Sequence, residues 1–546
     1  MRKRSVLVLA GALAIVASLV IGPAASAKSD RTAAGTVVFI YEQEPAILNP
    51  FIEEGALSAT AIPANPILAN GMLFNDKATL TPWLFDGKPQ VVKSKPLTIK
   101  FKYKQSAKWS DGTPITGKDF LWTWKTIMNP NWDITSRDGF DQIKSVKAVG
   151  KNVTVVFKAP SALWDVTVAT QLIPAKDVSA GQNFNELWRD SIDLASGPFK
   201  FGSWQKGTQI TLLRNNNYTA GPKAKLDRLV IKFILDTNAR FQALKAGEGQ
   251  AMEPQPQLQI SSFYSDSKFT VLQGTQFAYE HMDINQGPKA NAALKQQYVR
   301  QAITTGINRP QIAKALYSWS KDPVKPLQSL VFQPIVPQYQ PNWASVKFSQ
   351  KKVIQILKSH GCTGGPDTPS AGNDKIFSCP NVGKLSFSFS TTTGNQLRAL
   401  TFEIIQKQLQ SVGIEFKARF QPAGTLFGTT LPSGDFDIAM YTFSGSPATD
   451  INQFNTYGCG GGQNYIGYCN QKATAIFKKA NITIDETARN KMLNDAELKY
   501  MVKDIPSFPL YARPLFYIHA KSMNGMVLNP TQQEVTWNAQ AWSLAS

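Results

Sequence analysis

Four cysteines and three histidines are the side chains of this 546-residue chain best suited to covalent or metal chemistry. Cys362 and Cys379 flank a loop rich in Gly, Pro and Ser, and Cys459 and Cys469 flank Gly460-Gly461-Gly462. Neither pair has C-x2-C spacing, and His281, His360 and His519 lie far apart, so a zinc site is not expected. In an exported chain four cysteines point to two disulfides. Three pairings are open, and closure of each local loop is the simplest. No G-x-S-x-G, H-E-x-x-H or P-loop motif occurs. The glycine run at 458–462 opens no helix, unlike a phosphate cradle. The expectation is a chain with no catalytic residue, metal or cofactor.

The length implies two or three domains rather than one core. With 43% hydrophobic residues and a mean hydropathy of -0.20, the chain is globular. Arg2-Lys3-Arg4, an apolar run over 6–21, Gly22-Pro23 and Ala25-Ser26-Ala27 spell a signal peptide, 1–27, cleaved after Ala27. Sixteen apolar residues are short for a membrane span. No cysteine precedes Cys362, so the signal has no lipobox, and the mature chain is expected in the periplasm or outside the cell. Net charge is +20, and +17 once the three signal-peptide charges are removed. The basic residues are scattered singly, which argues against nucleic acid as a partner.

The elements that must position any site follow from periodicity. Residues 97–104 alternate apolar and polar as a half-buried strand. Asp111-Gly112-Thr113-Pro114 is turn chemistry, and Thr116 caps a helix over 117–128 with Asp119 in its first turn. Residues 36–41 form a short, continuously apolar strand, and 59–74 read as a helix broken at Pro63 and Pro66. Strands at 153–157 and 229–234 and a helix at 237–246 extend an α/β pattern. A strand at 384–390, a helix at 396–410 and a strand at 414–420 make a βαβ unit, which demands parallel pairing. A strand at 435–441 and a long helix over 481–504 follow. The Pro- and Gln-rich stretch 318–346 reads as a wrapped loop.

Lys108-Trp109-Ser110-Asp111-Gly112-Thr113-Pro114, the Ser196-Gly197-Pro198-Phe199 and Asn215-Asn216-Asn217-Tyr218 blocks, and Val299-Arg300-Gln301-Ala302-Ile303 followed by Asn308-Arg309 together resemble family 5 of bacterial extracellular solute-binding proteins. Pro509-Leu510-Tyr511 continues the resemblance, in the family's order. It implies an α/β, three-domain periplasmic-binding-protein type II fold, with two α/β lobes around a ligand cleft and a small extra domain. Lobe I would comprise 28–75, 186–283 and the return 509–546. The small domain would be 76–185, and lobe III 284–508. The implied role is an ABC importer's substrate-binding protein, a monomer that captures peptides, above all oligopeptides, and hands them to membrane permease subunits. Receptors for oligosaccharides, opines or metal complexes share the fold, and a secreted adhesin or hydrolase is the rival of a different class.

The resemblance also implies where a ligand would sit. Tyr41, Glu42 and Glu44 follow the first strand, and Tyr279 and His281 lie on the strand that enters the third lobe. Thr392 and Thr393 occupy a loop where some dipeptide receptors carry an Arg for the ligand carboxylate; threonines cannot supply that bidentate fork. Thr442, Phe443, Gly445, Asp450 and Phe454 occupy the loop where peptide receptors carry a Trp and an amine-binding Asp. Asp450 is the one acid left in that loop, open to an amine-binding or a capping role.

Overall fold

The computed structural model describes residues 35–179, 181–447 and 452–545, so the signal peptide and Asp450 lie outside the described residues. In chain order its main elements are β1 (Thr36–Tyr41), α1 (Ser58–Ala64), β2 (Gln90–Ser94), β3 (Leu97–Lys102), α2 (Gly117–Ile127), β4 (Ile143–Val149) and β5 (Asn152–Phe157). There follow β6 (Phe199–Gln205), β7 (Gln209–Arg214), β8 (Arg228–Phe233), α3 (Thr237–Lys245), β9 (Ala251–Met252) and β10 (Phe269–Ile284). The remainder is α4 (Gln297–Thr305), α5 (Arg309–Tyr317), α6 (Gln350–Ser359), β11 (Ser386–Thr392), α7 (Gln396–Gln410), β12 (Glu415–Gln421), β13 (Ile438–Ser444), α8 (Gln471–Asn481), α9 (Glu486–Ala496) and β14 (Ser507–Ala520). Among the described residues no helix is long and apolar enough to cross a membrane.

Ten strands make one mixed sheet in the order β12-β11-β13-β10-β14-β9-β1-β8-β7-β6. The parallel β11–β12 pair with α7 between is the βαβ unit that the periodicity requires. At the middle of the sheet run its two longest strands, β10 of 16 residues and β14 of 14. They pair antiparallel, with register shifts between Thr275 and Tyr279 and between Glu280 and His281. Beyond the first shift β10 also takes β13 as a partner, while the far end of β14 takes β9. The two strands are therefore shared. One half of each packs into the core built on α4 to α9, the other into the core built on β1.

The continuous apolarity of β1 and the end of β14 has a simple cause: both faces are covered. Val37, Phe39, Leu515 and Tyr517 pack on one side with Trp542, whereas Ile40, Phe516 and Ile518 pack on the other. A separate four-stranded sheet, β2-β3-β5-β4, has its own core. There Leu97, Ile99 and Phe101 point inward while Lys100 and Lys102 face water. The 108–116 turn is part of this scaffold. Gly112 sits at φ +89°, Trp109 is buried, and Thr116 and Asp119 form a capping box at α2.

Two expectations are corrected. The helix expected over 59–74 stops at Ala64, since Pro66 has no N–H to continue it, and Met72–Phe74 pairs as a strand with Leu80–Pro82. The single helix expected over 481–504 is preceded by α8 and broken after Asn481. Ile482, Thr483 and Ile484 are poor helix formers, and Asp485 caps a new helix by accepting from the Ala488 N–H at 2.7 Å. Just after α9, fully buried Glu497 orders the irregular 318–346 stretch. Its carboxylate accepts from the Leu330 N–H, Ser329 Oγ, Asn342 Nδ2 and Trp343 Nε1. Both cysteine pairs are closed locally, Cys362–Cys379 and Cys459–Cys469.

Candidate ligand cleft

Most candidate residues fall into two groups, one at the end of β1 and one on β10, β13 and the end of β11. On the β1 side Tyr41 is buried beneath the strand end, and Glu42 and Glu44 leave it. Both carboxylates are engaged by the protein. Glu42 pairs with the buried Arg240 guanidinium at 3.1 Å and accepts from Gln255 Nε2 at 2.6 Å. Gln255 in turn accepts from Arg513 of β14. Glu44 accepts from Trp204 Nε1 and the Gly207 N–H, both at 2.8 Å, and so pins the β6–β7 hairpin.

Two further acids stand here that the sequence did not single out. Glu253 follows Met252, which pairs with Ile40 and Ile518, so its flanking positions are Tyr41 and Tyr517. Burial pushes the Glu253 carboxyl well above its ordinary value, and the neighbouring Glu534 carboxylate adds to the effect. Glu253 Oε2 has no hydrogen-bond partner among the described residues. Burial also pushes Glu534 up to about 7, against a hydrogen bond from Ser58 Oγ at 2.8 Å. Two neighbouring buried acids ease their mutual repulsion by keeping a proton, and the Arg513 charge opposes this at Glu253 without outweighing it.

On the β10 side alternate residues face opposite ways, and the candidates divide accordingly. Tyr279, His281 and Phe443 form an aromatic cluster, with the Tyr279 ring 5.4 Å from His281 and 5.7 Å from Phe443. The Tyr279 hydroxyl donates to the Leu330 carbonyl at 3.1 Å. His281 is 2% exposed, its Nε2 is 3.4 Å from Asp283 Oδ1, and its Nδ1 has no partner among the described residues. Burial alone would raise the Asp283 carboxyl. The nearby imidazole and the hydroxyls of Tyr441 and Ser507 outweigh it and hold the group below its ordinary value.

The other face carries a charge pair that sequence inspection missed. Buried Glu280 meets Arg398, from the first turn of α7, with Nη2 3.1 Å from Oε1. Arg398 Nη1 donates to Thr392 Oγ1 at 2.7 Å and Nη2 to Thr442 Oγ1 at 2.8 Å; Thr442 also donates to Glu280. The threonine loop thus has a guanidinium beside it after all, supplied six residues downstream of Thr392 and neutralised across the sheet by Glu280. The local sequence pattern carries no sign of this, since Arg398 reads as an ordinary helix residue and Glu280 as one strand residue among many.

The remaining candidates scatter. Thr393 is exposed, with its N–H donating to the Gln421 carbonyl. The Gly445 N–H donates to the Phe277 carbonyl at 2.8 Å, which holds the 441–447 segment against β10. Phe454 lies under the Lys478 ammonium, 5.0 Å from its ring centroid. Among the described residues no group of His, Cys, Asp and Glu is placed to hold a metal ion.

The family model for bacterial extracellular solute-binding proteins, family 5 (middle), matches residues 79–465. The oligopeptide-binding protein AppA of Bacillus subtilis is 26% identical over 466 residues, covering 82% of this chain and 81% of its own. Among solved structures, the periplasmic EDTA-binding protein EppA superposes with a TM-score of 0.83 at 21% identity, covering 94% of this chain and 97% of that one. The B. subtilis AppA complex with a nonapeptide superposes at 0.74 with 22% identity, covering 94% and 99%. These relatives are binding proteins with the periplasmic-binding-protein type II fold, and the mixed ten-stranded sheet agrees with them. The chain belongs to family 5 of the bacterial extracellular solute-binding proteins.

Proposed function

We propose that the protein is the substrate-binding component of an ABC importer, capturing peptides in a cleft between lobe I and lobe III and passing them to permease subunits. The observation that carries this is the pair of long strands, β10 and β14, shared between two cores. They provide the connection about which two lobes close on a solute, and Tyr279 and His281 lie where β10 changes partners. Relatives named as oligopeptide-binding and dipeptide-binding proteins support peptides as the solute. The separate cores support division into lobe I, a small domain and lobe III. Export after cleavage at Ala27, a monomeric state and the absence of catalysis belong to the same reading. Of the loop residues, Asp450 is assigned the peptide amine, because a desolvated ammonium demands an acid.

A thermal-shift panel of di- to nonapeptides, oligosaccharides and nickel chelates tests the function, since a solute that binds only the folded state raises Tm. Peptides raise Tm and the other classes do not. A panel in which only sugars or chelates act removes the peptide assignment. Asp450→Asn weakens the binding of a free-amine peptide by about 2–5 kcal/mol; unchanged affinity removes Asp450 from the site.

A further inference from the structure

A cavity of about 580 Å³ lies between the small four-stranded domain and the α9 side of the core built on α4 to α9. Its volume falls in the range of small-molecule sites, roughly 300–1,000 Å³. One wall comes from the hairpin around Phe74 and Lys77, with Lys88 and the Trp164–Asp165 turn. The facing wall comes from Phe332 and the first turn of α9, with Glu486 and Arg489. Pro447, just past the end of β13, also lines the cavity.

The walls are held together around this space. The Ala162 N–H donates to the Asn481 carbonyl at 2.8 Å, Ile484 packs on the small domain's core, and Ala78 packs on the core built on α4 to α9. Arg489 is the group left under-used. It is 8% exposed, its Nη1 reaches only the Thr483 carbonyl at 3.4 Å, and its Nε has no hydrogen-bond partner among the described residues. A buried guanidinium with five donors and one long contact lacks the planar acceptor its fork is shaped for. The exposed Lys77 and Lys88 ammoniums at the rim make no ion pair among the described residues. Glu486, Asp165 and Asp485 act on the Arg489 charge through space, but Glu486 and Asp485 are exposed and none of the three forms an ion pair or hydrogen bond with the guanidinium among the described residues. Trp164, Phe74 and Phe332 give the remaining wall an apolar, aromatic character.

We propose that this cavity is a subsite for a carboxylate-bearing part of the ligand, anchored by Arg489, with the adjoining apolar body against Trp164, Phe74 and Phe332. The inference rests on the peptide assignment only for the ligand's identity; the anion pocket itself rests on Arg489 and the cavity. It also supplies, from a different lobe wall, the cation that the threonine loop gives up to Glu280.

Binding is measured by titration calorimetry with Ala-Ala-Ala-Phe as free acid, its C-terminal amide, and Ala-Ala-Glu-Phe amide. A thermal shift with citrate, a small polycarboxylate, runs alongside. In the wild type the free acid or the Glu peptide binds at least ~10-fold more tightly than the neutral amide, and which one does so tells a terminal carboxylate from a side-chain one. Arg489→Gln brings that ratio to about 1 while affinity for the neutral amide holds. Should Arg489→Gln fail to fold, the surface double variant Lys77→Gln/Lys88→Gln lowers the ratio by about 3-fold or more. Equal binding of all three peptides in the wild type, or a ratio that survives these substitutions, overturns the subsite. If no peptide binds, a citrate shift lost in the variants retains the anion pocket and removes the peptide assignment. No citrate shift in that case overturns both.

Discussion

The Glu280–Arg398 pair is where a single substitution has the best-defined consequence. Its side chains are 7% and 11% exposed, and the pair joins β10 to the first turn of α7, with Thr392 and Thr442 on the same guanidinium. Arg398→Met leaves the Glu280 carboxylate buried with the Thr442 hydroxyl as its one remaining donor from this network. Stranding a buried charge costs about 3–5 kcal/mol. Glu280→Leu strands the guanidinium at a similar cost, softened by the two threonine acceptors. The double variant buries no charge at all, and swapping a buried ion pair for apolar groups of like volume is often neutral or stabilising. Its loss is therefore about 0–2 kcal/mol, far below the sum of the singles. Urea unfolding of the four proteins, followed by tryptophan fluorescence at neutral pH, gives the coupling energy directly. The salt dependence is weak, because the pair is shielded from counterions. A cost for Arg398→Met below about 1 kcal/mol, or a double variant equal to the sum within ~0.5 kcal/mol, would refute the picture of a buried, mutually dependent pair.

Three other outcomes follow from the same structure. Glu534, pushed up to about 7 in the fold, favours its protonated form there, so its stabilising contribution is full below about 4.5 and is lost as pH rises through about 7. Glu534→Gln accordingly raises stability at pH 8 by up to about 2–3 kcal/mol, less whatever Glu253 shares, and leaves it unchanged at pH 4; Tm against pH checks this. Glu497→Ala strands the donors of Leu330, Ser329, Asn342 and Trp343 and costs about 3–5 kcal/mol, with early proteolysis in the 318–346 stretch as a second readout. Cys362→Ser with Cys379→Ser opens a loop of 17 residues' separation and costs about 3 kcal/mol by chain entropy, measured from the urea midpoint.

Much of the scaffold was legible because its causes are local. Helix α7 was read over the same residues, since its cap Asn395 and its apolar spacing lie within one segment. Thr116 is legible as a cap and Asp119 as a first-turn acid because both lie within four consecutive residues, and the structure adds that the two close a capping box. The 482–485 break is hidden behind apolar spacing that continues across it, although three β-branched residues and the Asp485 cap are local causes for it.

The candidate site was less legible. The resemblance implied a ligand-site role for Tyr279, His281 and Phe443 separately, and the structure brings their rings into one cluster. Whether Glu42 is free, or whether a threonine loop lacks a cation, depends on partners far away in the chain: Arg240 and Gln255 for Glu42, Arg398 and Glu280 for Thr392. The family, the βαβ frame and the absence of familiar catalytic motifs are written in short-range order and spacing, and so are legible in the amino-acid sequence alone. The three-dimensional packing settles which charges are already paired, that Glu253 and Glu534 lie near enough to raise one another's proton affinity, and that Arg489 borders a cavity with its Nε unpartnered among the described residues. The reason is physical. Pairing and desolvation act through space between strands and helices hundreds of residues apart, and no local pattern records whether a charge has met its partner.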